Sequence, residues 1–374
     1  MSEKIPFVDL RTQAAALRKE IEAAWGGCIE RCDFILGSET ERFEAEYAEF
    51  LGARHVVGVA SGLDALVLAL DALGIGSGDT CIVPANTFVA TALAVSRVGA
   101  RVAWCDVDPR TRLVSAATLE RAIEVYGRPA AVLPVHLCGR AVDPQAMRYC
   151  ADLGVPVVED AAQSQGARFA DGGMTGTRGA AAGFSFYPGK NLGAFGDAGA
   201  VSTQDAELAA RMRQIRHYGQ RVKYEHVVRG TNSRLDTVQA AVLRVKLRRL
   251  AQWNRAREAA AARYDQWLAD ALPAAGRPEL APAGTHVWHL YRIDCRDSEQ
   301  RTRVADALRE RGVETNIHYP IPCHRQQCYA GSWDGKPDLS VSEAEAARTL
   351  SLPMFPEITP AQQQRVVEEL ARAW

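Results

Sequence analysis

Between residues 55 and 205, short apolar runs alternate with helical stretches, and no other feature of the chain constrains its fold as much. Segments 55–60, 80–85, 101–107, 130–137, 155–160, 181–187 and 199–203 read as strands. Segments 64–73, 89–98, 117–126 and 144–153 lie between them with helical spacing. Parallel strands need long crossovers, and helices supply them. The pattern therefore predicts an α/β fold, a mostly parallel sheet covered on both faces. Such sheets take ligands at the carboxyl ends of their strands. Asp160 falls at one such end, and Ser61 and Lys190 lie just beyond two others.

After residue 205 the pattern turns helical, at 206–217 and again within 236–272. Leu243, Val245, Leu247 and Leu250 supply much of the long helix's buried stripe, and Pro273 ends it at the latest. A strand at 286–294, a helix at 302–311, an irregular run His318-Tyr319-Pro320-Ile321-Pro322 and a terminal helix at 360–373 suggest a smaller α+β unit. The 374 residues exceed what one compact core usually holds. Two domains are expected, residues 1–249 and 250–374.

Charge excludes little but favours little. There are 44 basic and 45 acidic residues, a net charge of −1, and no basic tail, so neither nucleic acid nor a membrane surface is an expected partner. No apolar run reaches bilayer length, and MSEKIPFVDL lacks an apolar signal core, so a cytoplasmic protein is expected. Nine cysteines are scattered without a Cys-x-x-Cys pair; Cys28, Cys81, Cys105 and Cys138 sit among apolar neighbours as core thiols. His318, Cys323, His324 and Cys328 match no standard zinc spacing, so no metal site is expected.

Chemistry concentrates around Lys190. It closes the run Phe184-Ser185-Phe186-Tyr187-Pro188-Gly189-Lys190, thirty residues after Asp160. A lysine past one strand can hold an aldehyde cofactor as a Schiff base, and a carboxylate at the end of another can face that cofactor's ring nitrogen. This is the arrangement of a pyridoxal 5'-phosphate enzyme. Alone, Lys190 reads more readily as a surface lysine, and Asp160 equally as a helix N-cap. Gly183-x5-Gly189-Lys190 is one residue too long for a P-loop, and Asn191 stands where Ser or Thr would bind magnesium.

Other motifs fit around this pair. Gln163, three residues past Asp160, can hydrogen-bond the cofactor's phenolic oxygen. Ala60-Ser61-Gly62-Leu63-Asp64 is a strand-to-helix turn suited to a phosphate. Ser185 can add a hydroxyl. Phe88 either stacks on a flat ring or packs in the core.

Taken together, SGLDAL, PANTF, VEDAAQSQGA, FSFYPGKNLGAFGDAGAVST, NSRLDTVQAAVLRVKL, HLYRI, HYPIPCH and LSLPMFP resemble the DegT/DnrJ/StrS sugar aminotransferases over nearly the whole chain. The resemblance implies fold type I, the aspartate aminotransferase-like class, and a homodimer with shared active sites. It implies Lys190 as the Schiff-base lysine and Asp160 as the ring-nitrogen partner. Gln163 would contact the cofactor oxygen, Phe88 stack on the ring, and Gly62, Leu63 and Ser185 hold the phosphate. Asn232 would reach that phosphate from the partner subunit. Related dehydratases carry histidine in place of the lysine, so Lys190 argues for transamination.

Lys223-Tyr224-x-His226, Gly230-x-Asn232-Ser233-Arg234 and His318-Tyr319-Pro320 are similar to the branch acting at the 3-keto position of dTDP-linked deoxysugars. Gln327 departs from a proline common in the family. The expected reaction moves an amino group from L-glutamate, releasing 2-oxoglutarate, to a nucleotide-linked keto-sugar. Tyr187, Lys223, Tyr224, His318 and Tyr319 are the candidate sugar and diphosphate contacts. An aminotransferase for another acceptor, such as a 4-keto sugar nucleotide or a keto-cyclitol, and a non-catalytic pyridoxal-phosphate-binding regulator are the rival readings.

Overall fold

The computed structural model describes residues 4–272, 275–277 and 281–374. Two helices precede the sheet: α1 (Leu10–Arg31), capped by Asp9, and α2 (Ser38–Leu51). The sheet and its crossovers follow as β1 (His55–Val59), α3 (Gly62–Ala72), β2 (Thr80–Pro84), α4 (Val89–Arg97), β3 (Arg101–Cys105), α5 (Ala116–Tyr126), β4 (Ala131–Val132), α6 (Pro144–Asp152), β5 (Val158–Asp160), β6 (Ala181–Ser185) and β7 (Gly199–Thr203). Hydrogen-bonded ladders run β3-β2-β4 and β5-β6-β7-β1. Parallel bridges Val132–Val157 and Val135–Asp160 join the two halves. The strand order is thus β3-β2-β4-β5-β6-β7-β1, parallel except for β7, which runs against both neighbours.

The expected strand at 130–137 is cut short. Only Ala131–Val132 is a regular strand, and the chain turns into a 3-10 segment at Leu137–Gly139 with Cys138 left-handed at φ 60°. This bend brings the Cys138 N–H toward the carboxyl edge of the sheet.

Beyond the sheet come α7 (Ala206–Ile215), an exposed hairpin of β8 (Gln220–Val222) and β9 (Glu225–His226), and the 35-residue helix α8 (Thr237–Ala271). Pro273, expected to end α8, lies outside the described residues; the helix stops at Ala271. Position 250 falls inside α8. The amino-terminal half of α8 packs Ala240, Leu243 and Leu250 against Phe184, Phe186 and Leu192. Its carboxyl-terminal half places Ala260, Tyr264 and Leu268 in a second core. That core includes β10 (Tyr291–Asp294), α9 (Ser298–Glu310), β11 (Thr349–Leu352), which follows α10 (Ser340–Arg348), and α11 (Pro360–Ala373). The strand expected at 286–294 begins only at Tyr291. His286 and Trp288 stack on each other at 3.9 Å, with Trp288 at φ 49°, so the chain before Tyr291 is not extended. Among the described residues no helix is long and apolar enough to cross a membrane.

Candidate active site

Consecutive strand residues face opposite ways, and β5 ends by using both faces. Asp160 turns to α4, where Thr91 donates from Oγ1 to its Oδ2 at 2.8 Å; the Ala162 N–H donates to Oδ1 at 3.1 Å. Burial still dominates and pushes the Asp160 carboxyl above its ordinary value, against those hydrogen bonds and the charge of Lys190. The charge of Lys190 reaches this carboxylate without overcoming its burial, and a protonated ring nitrogen would supply a closer partner.

Glu159 turns the other way and is fully buried. It accepts from His136 Nε2 at 2.9 Å and from the N–H groups of Gly176, Arg178 and Gly179 at 2.6–2.8 Å. Burial pushes its carboxyl up, but these donors outweigh it and hold the group below its ordinary value. His136 Nδ1 accepts from the Val142 N–H at 3.0 Å, which leaves the ring proton on Nε2. Glu159 thereby fastens the end of β5 to the chain that enters β6.

Lys190 sits beyond the end of β6, in a turn closed by its own N–H to the Tyr187 carbonyl at 2.8 Å. Part of its surface reaches solvent, yet its amine is crowded by protein. Burial lowers its pKa to about 8, while Asp160 and Cys138 pull the other way. A lysine so placed exchanges its proton near neutral pH, as an amine that must act as nucleophile and base requires.

The Gln163 amide is held at both ends. Its Oε1 accepts from the Cys138 N–H at 2.6 Å, and its Nε2 donates to the Tyr319 hydroxyl at 3.1 Å. The Tyr319 ring lies 5.5 Å from Phe88, tilted 38°. Phe88 is 53% exposed rather than packed in the core. His318 donates to or accepts from Ser351 Oγ at 2.9 Å and stacks on Phe7; burial, then Arg292 and Lys190, lower its pKa to about 4. His324 instead pairs with Glu343, and no cluster of metal-ligating side chains occurs among the described residues.

The strand-to-helix turn has the form of an anion cradle. Ser61 caps α3 by accepting from the Asp64 N–H at 3.1 Å, leaving the Gly62 and Leu63 N–H groups at the first turn, where no preceding helical carbonyl exists for them. A Cβ on Gly62 would stand 2.6 Å from Ser185 Cβ, so only glycine lets the start of α3 touch the end of β6. Gly62 and Ser185 are therefore neighbours, on the same sheet edge as Lys190 and Asp160.

The expected residues divide into two groups. Lys190, Asp160, Gln163, Phe88, Ser185, Gly62, Leu63, His318 and Tyr319 gather at the carboxyl edge of the sheet, with Tyr187 exposed at its rim. Lys223 and Tyr224 do not join them. They sit at the tip of the β8–β9 hairpin, Tyr224 82% exposed, with the Lys223 ammonium over the Tyr224 ring. Asn232 is exposed too, bridged to His217. Thr91 and Cys138 also join the site, although neither belongs to the motifs around Lys190. Thr87 and Thr91, one turn apart and 2.9 Å from each other, stand in an otherwise Ala/Val-rich helix start, which is a usable signal; Cys138 contributes through its backbone and leaves none.

These residues fit pyridoxal phosphate: a reactive amine, a carboxylate whose burial outweighs the charge of Lys190, an amide donor and a helix N-terminus on one rim.

Comparison with known proteins gives the same reading. The dTDP-3-amino-3,4,6-trideoxy-alpha-D-glucose transaminase of Streptomyces venezuelae is 45% identical over 99% of this chain and 96% of its own length. The structure of S. venezuelae DesV in complex with a ketimine intermediate superposes with TM-score 0.94 at 44% identity, covering 99% of this chain and 98% of that one. The structure of NtdA from Bacillus subtilis with bound cofactor PMP superposes with TM-score 0.90 at 32% identity, covering 100% and 86%. The profile of the DegT/DnrJ/EryC1/StrS aminotransferase family matches residues 15–371. The chain belongs to that family and is an aminotransferase of fold type I.

Proposed function

We propose that this aminotransferase carries an amino group from L-glutamate to a nucleotide-linked keto-deoxysugar, with a dTDP-3-keto-6-deoxyhexose as acceptor and a dTDP-3-amino sugar as product. The observation that carries the chemistry is the crowded Lys190 amine beside the Asp160 carboxylate at one sheet edge. The full-length likeness to a dTDP-amino-sugar transaminase supports the acceptor.

Pyridoxal phosphate, when bound, supplies an aldehyde for the amino group and an electron sink. Asp160, aligned by Thr91, would face its ring nitrogen. Gln163 Nε2 would donate to its phenolic oxygen, Phe88 would cover its ring, and the Gly62 and Leu63 N–H groups with Ser185 Oγ would take its phosphate. Lys190 would hold it and, once freed, its amine would take the proton from the substrate carbon and carry it along the same face. His318 and Tyr319 contact the sugar, and Tyr187 lies at the entrance.

We also propose a homodimer. Phe34, Ile35, Phe195, Tyr218, Val222 and Tyr224 are large apolar residues left exposed on one chain. A second copy would cover them and place Lys223, Tyr224 and Asn232 against its own pocket. Residues 1–249 and 250–374 are the proposed domains, joined through α8, and a cytoplasmic location goes with the reading.

The test begins with the visible spectrum of the protein with pyridoxal phosphate, before and after L-glutamate, beside Lys190→Ala. Wild type should show a band that glutamate abolishes and the mutant should show none. The dTDP-linked 3-keto sugar, its UDP-linked counterpart, a 4-keto sugar nucleotide and a keto-inositol are then offered, and products are weighed by mass spectrometry. Turnover of keto-inositol alone would overturn the acceptor, and a band indifferent to glutamate would overturn the donor. Mixing inactive Lys190→Ala with Asn232→Ala chains should restore activity if sites are shared.

A further inference from the structure

Helix α8 carries polar residues where its packing calls for apolar ones. Positions 239, 243, 246, 250 and 254 fall within about 80° of arc at 3.6 residues per turn, the spacing of a core-facing stripe. Leu243 and Leu250 are buried as that spacing requires. Between and beside them stand Gln239, Lys246 and Asn254. A polar group in such a stripe is costly unless it is paired.

Each is paired, and with one segment only a few residues long. Gln239 Oε1 accepts from the Phe195 N–H at 2.9 Å. Lys246 Nζ, almost wholly buried, donates to the Gly193 carbonyl at 2.7 Å. Asn254 Oδ1 accepts from Asn191 Nδ2 at 3.0 Å, while Asn254 Nδ2 donates to the Gln165 carbonyl at 2.9 Å. The two chains run antiparallel, 191 against 254, 193 against 246, 195 against 239. The intervening Leu192 and Ala194 join the apolar cluster of Leu243 and Leu250. Polar and apolar contacts thus alternate along the chain that leaves Lys190. Burial lowers Lys246 to about 8, outweighing the charge of Glu357, and its ammonium lies 4.9 Å over the ring of Phe195 in the same segment. Its hydrogen-bond partner is a loop carbonyl instead of a carboxylate.

We propose that Gln239, Lys246 and Asn254 are positioning residues for Lys190, clamping segment 191–195 so that the reacting amine is presented beside Asp160, with Lys246 as the central clamp. The proposal rests on Lys190 being the reacting lysine. It acts through the chain that follows Lys190, and none of the three residues touches the reacting atoms.

The decisive variant is Lys246→Met, which keeps the volume of the stripe and removes the donor. In the apoprotein, amide hydrogen exchange over 192–196 should quicken by about tenfold, because the local opening of an unclamped segment costs less. The pH profile for labelling the Lys190 amine with trinitrobenzenesulfonate should move toward that of an ordinary lysine. With pyridoxal phosphate, the glutamate half-reaction should lose about tenfold or more in kcat with KM little changed, as for a misplaced reacting group. Lys246→Gln, which retains an N–H donor, should recover part of the protection.

A folded Lys246→Met protein with wild-type exchange and a wild-type Lys190 labelling profile overturns the proposal. If Lys246→Met does not fold, Gln239→Ala and Asn254→Ala decide by the same two readouts, and wild-type behaviour in both overturns it. The apoprotein readouts need neither cofactor nor turnover. Failure of the clamp is therefore distinguishable from failure of the aminotransferase reading.

Discussion

Gln163 and Tyr319, 156 residues apart in sequence, meet through a 3.1 Å hydrogen bond from the glutamine Nε2 to the tyrosine hydroxyl. The Cys138 N–H fixes the other end of the amide, so Gln163 has one orientation and Nε2 points to the pocket. Tyr319→Phe keeps the ring against Phe88 and removes the acceptor. We expect KM for the sugar acceptor to rise roughly fivefold to tenfold, the equivalent of one net hydrogen bond of about 1 kcal/mol, with KM for glutamate little changed. Steady-state kinetics with each substrate varied in turn checks this; equal effects on both would assign Tyr319 to the cofactor.

Asp160 opposes stability and function. Its native pKa is raised above the unfolded value, so folding takes up protons between the two values and stability falls as pH rises through that window. Above the window the cost of keeping the carboxylate buried is fully present. Asp160→Asn should therefore stabilise the apoprotein at neutral pH, by ~1 kcal/mol, and the gain should vanish in acid where both forms are neutral. The same change should slow the glutamate half-reaction by about a hundredfold or more, since the ring nitrogen loses its counter-charge. Urea unfolding at two pH values and single-turnover kinetics measure the two sides.

Lys190 should titrate early. With its amine near pKa 8, the rate of capture of pyridoxal phosphate by the apoprotein should climb about tenfold per pH unit below that value and level off above it. A free lysine would keep climbing to beyond pH 10. Stopped-flow absorbance across this range gives the profile. Thr91→Val frees the Asp160 carboxylate from its donor and raises its proton affinity, which should weaken the pull of Asp160 on Lys190 and shift the profile lower.

Gly62 should accept no side chain. The Cβ of Gly62→Ala would collide with Ser185, forcing apart the two elements that form the anion cradle. Overpacking of this kind costs about 1–3 kcal/mol, and here it falls on the cradle, so cofactor affinity should drop roughly tenfold or more. Equilibrium dialysis with pyridoxal phosphate, beside a melting curve of the apoprotein, separates lost affinity from lost fold.

Much of the sheet and half of the site were legible in the sequence, for one reason. The strands are short apolar runs, and ligands collect at their carboxyl ends, so Asp160, Gln163 and Lys190 announced themselves by position. What stayed hidden depended on groups without a local pattern. Helix α1 buries only Leu17, Ile21 and Cys28 along 22 residues, too thin a stripe to stand out. Left-handed residues that are not glycine, Cys138 beyond β4 and Trp288 before β10, accompany the shortened strands. The roles of Gln239, Lys246 and Asn254 leave no local pattern, because their partners lie across the fold. Lys223, Tyr224 and Asn232 are exposed and stand apart from the residues gathered around Lys190, and only the family likeness points to them.

The long reach of α8 has a consequence for how the protein is made. Gly193 is joined to a residue 53 positions later and Asn191 to one 63 positions later, while Gln163 waits for Tyr319. A chain emerging from the ribosome has Asp160 and Lys190 in hand long before it owns the residues that aim them. The sheet can therefore condense early, but the site matures only after residue 254 and then residue 319 arrive. Competence to hold the cofactor becomes a late event of synthesis, and a released fragment ending near residue 240 would carry the reactive lysine without the geometry that makes it useful.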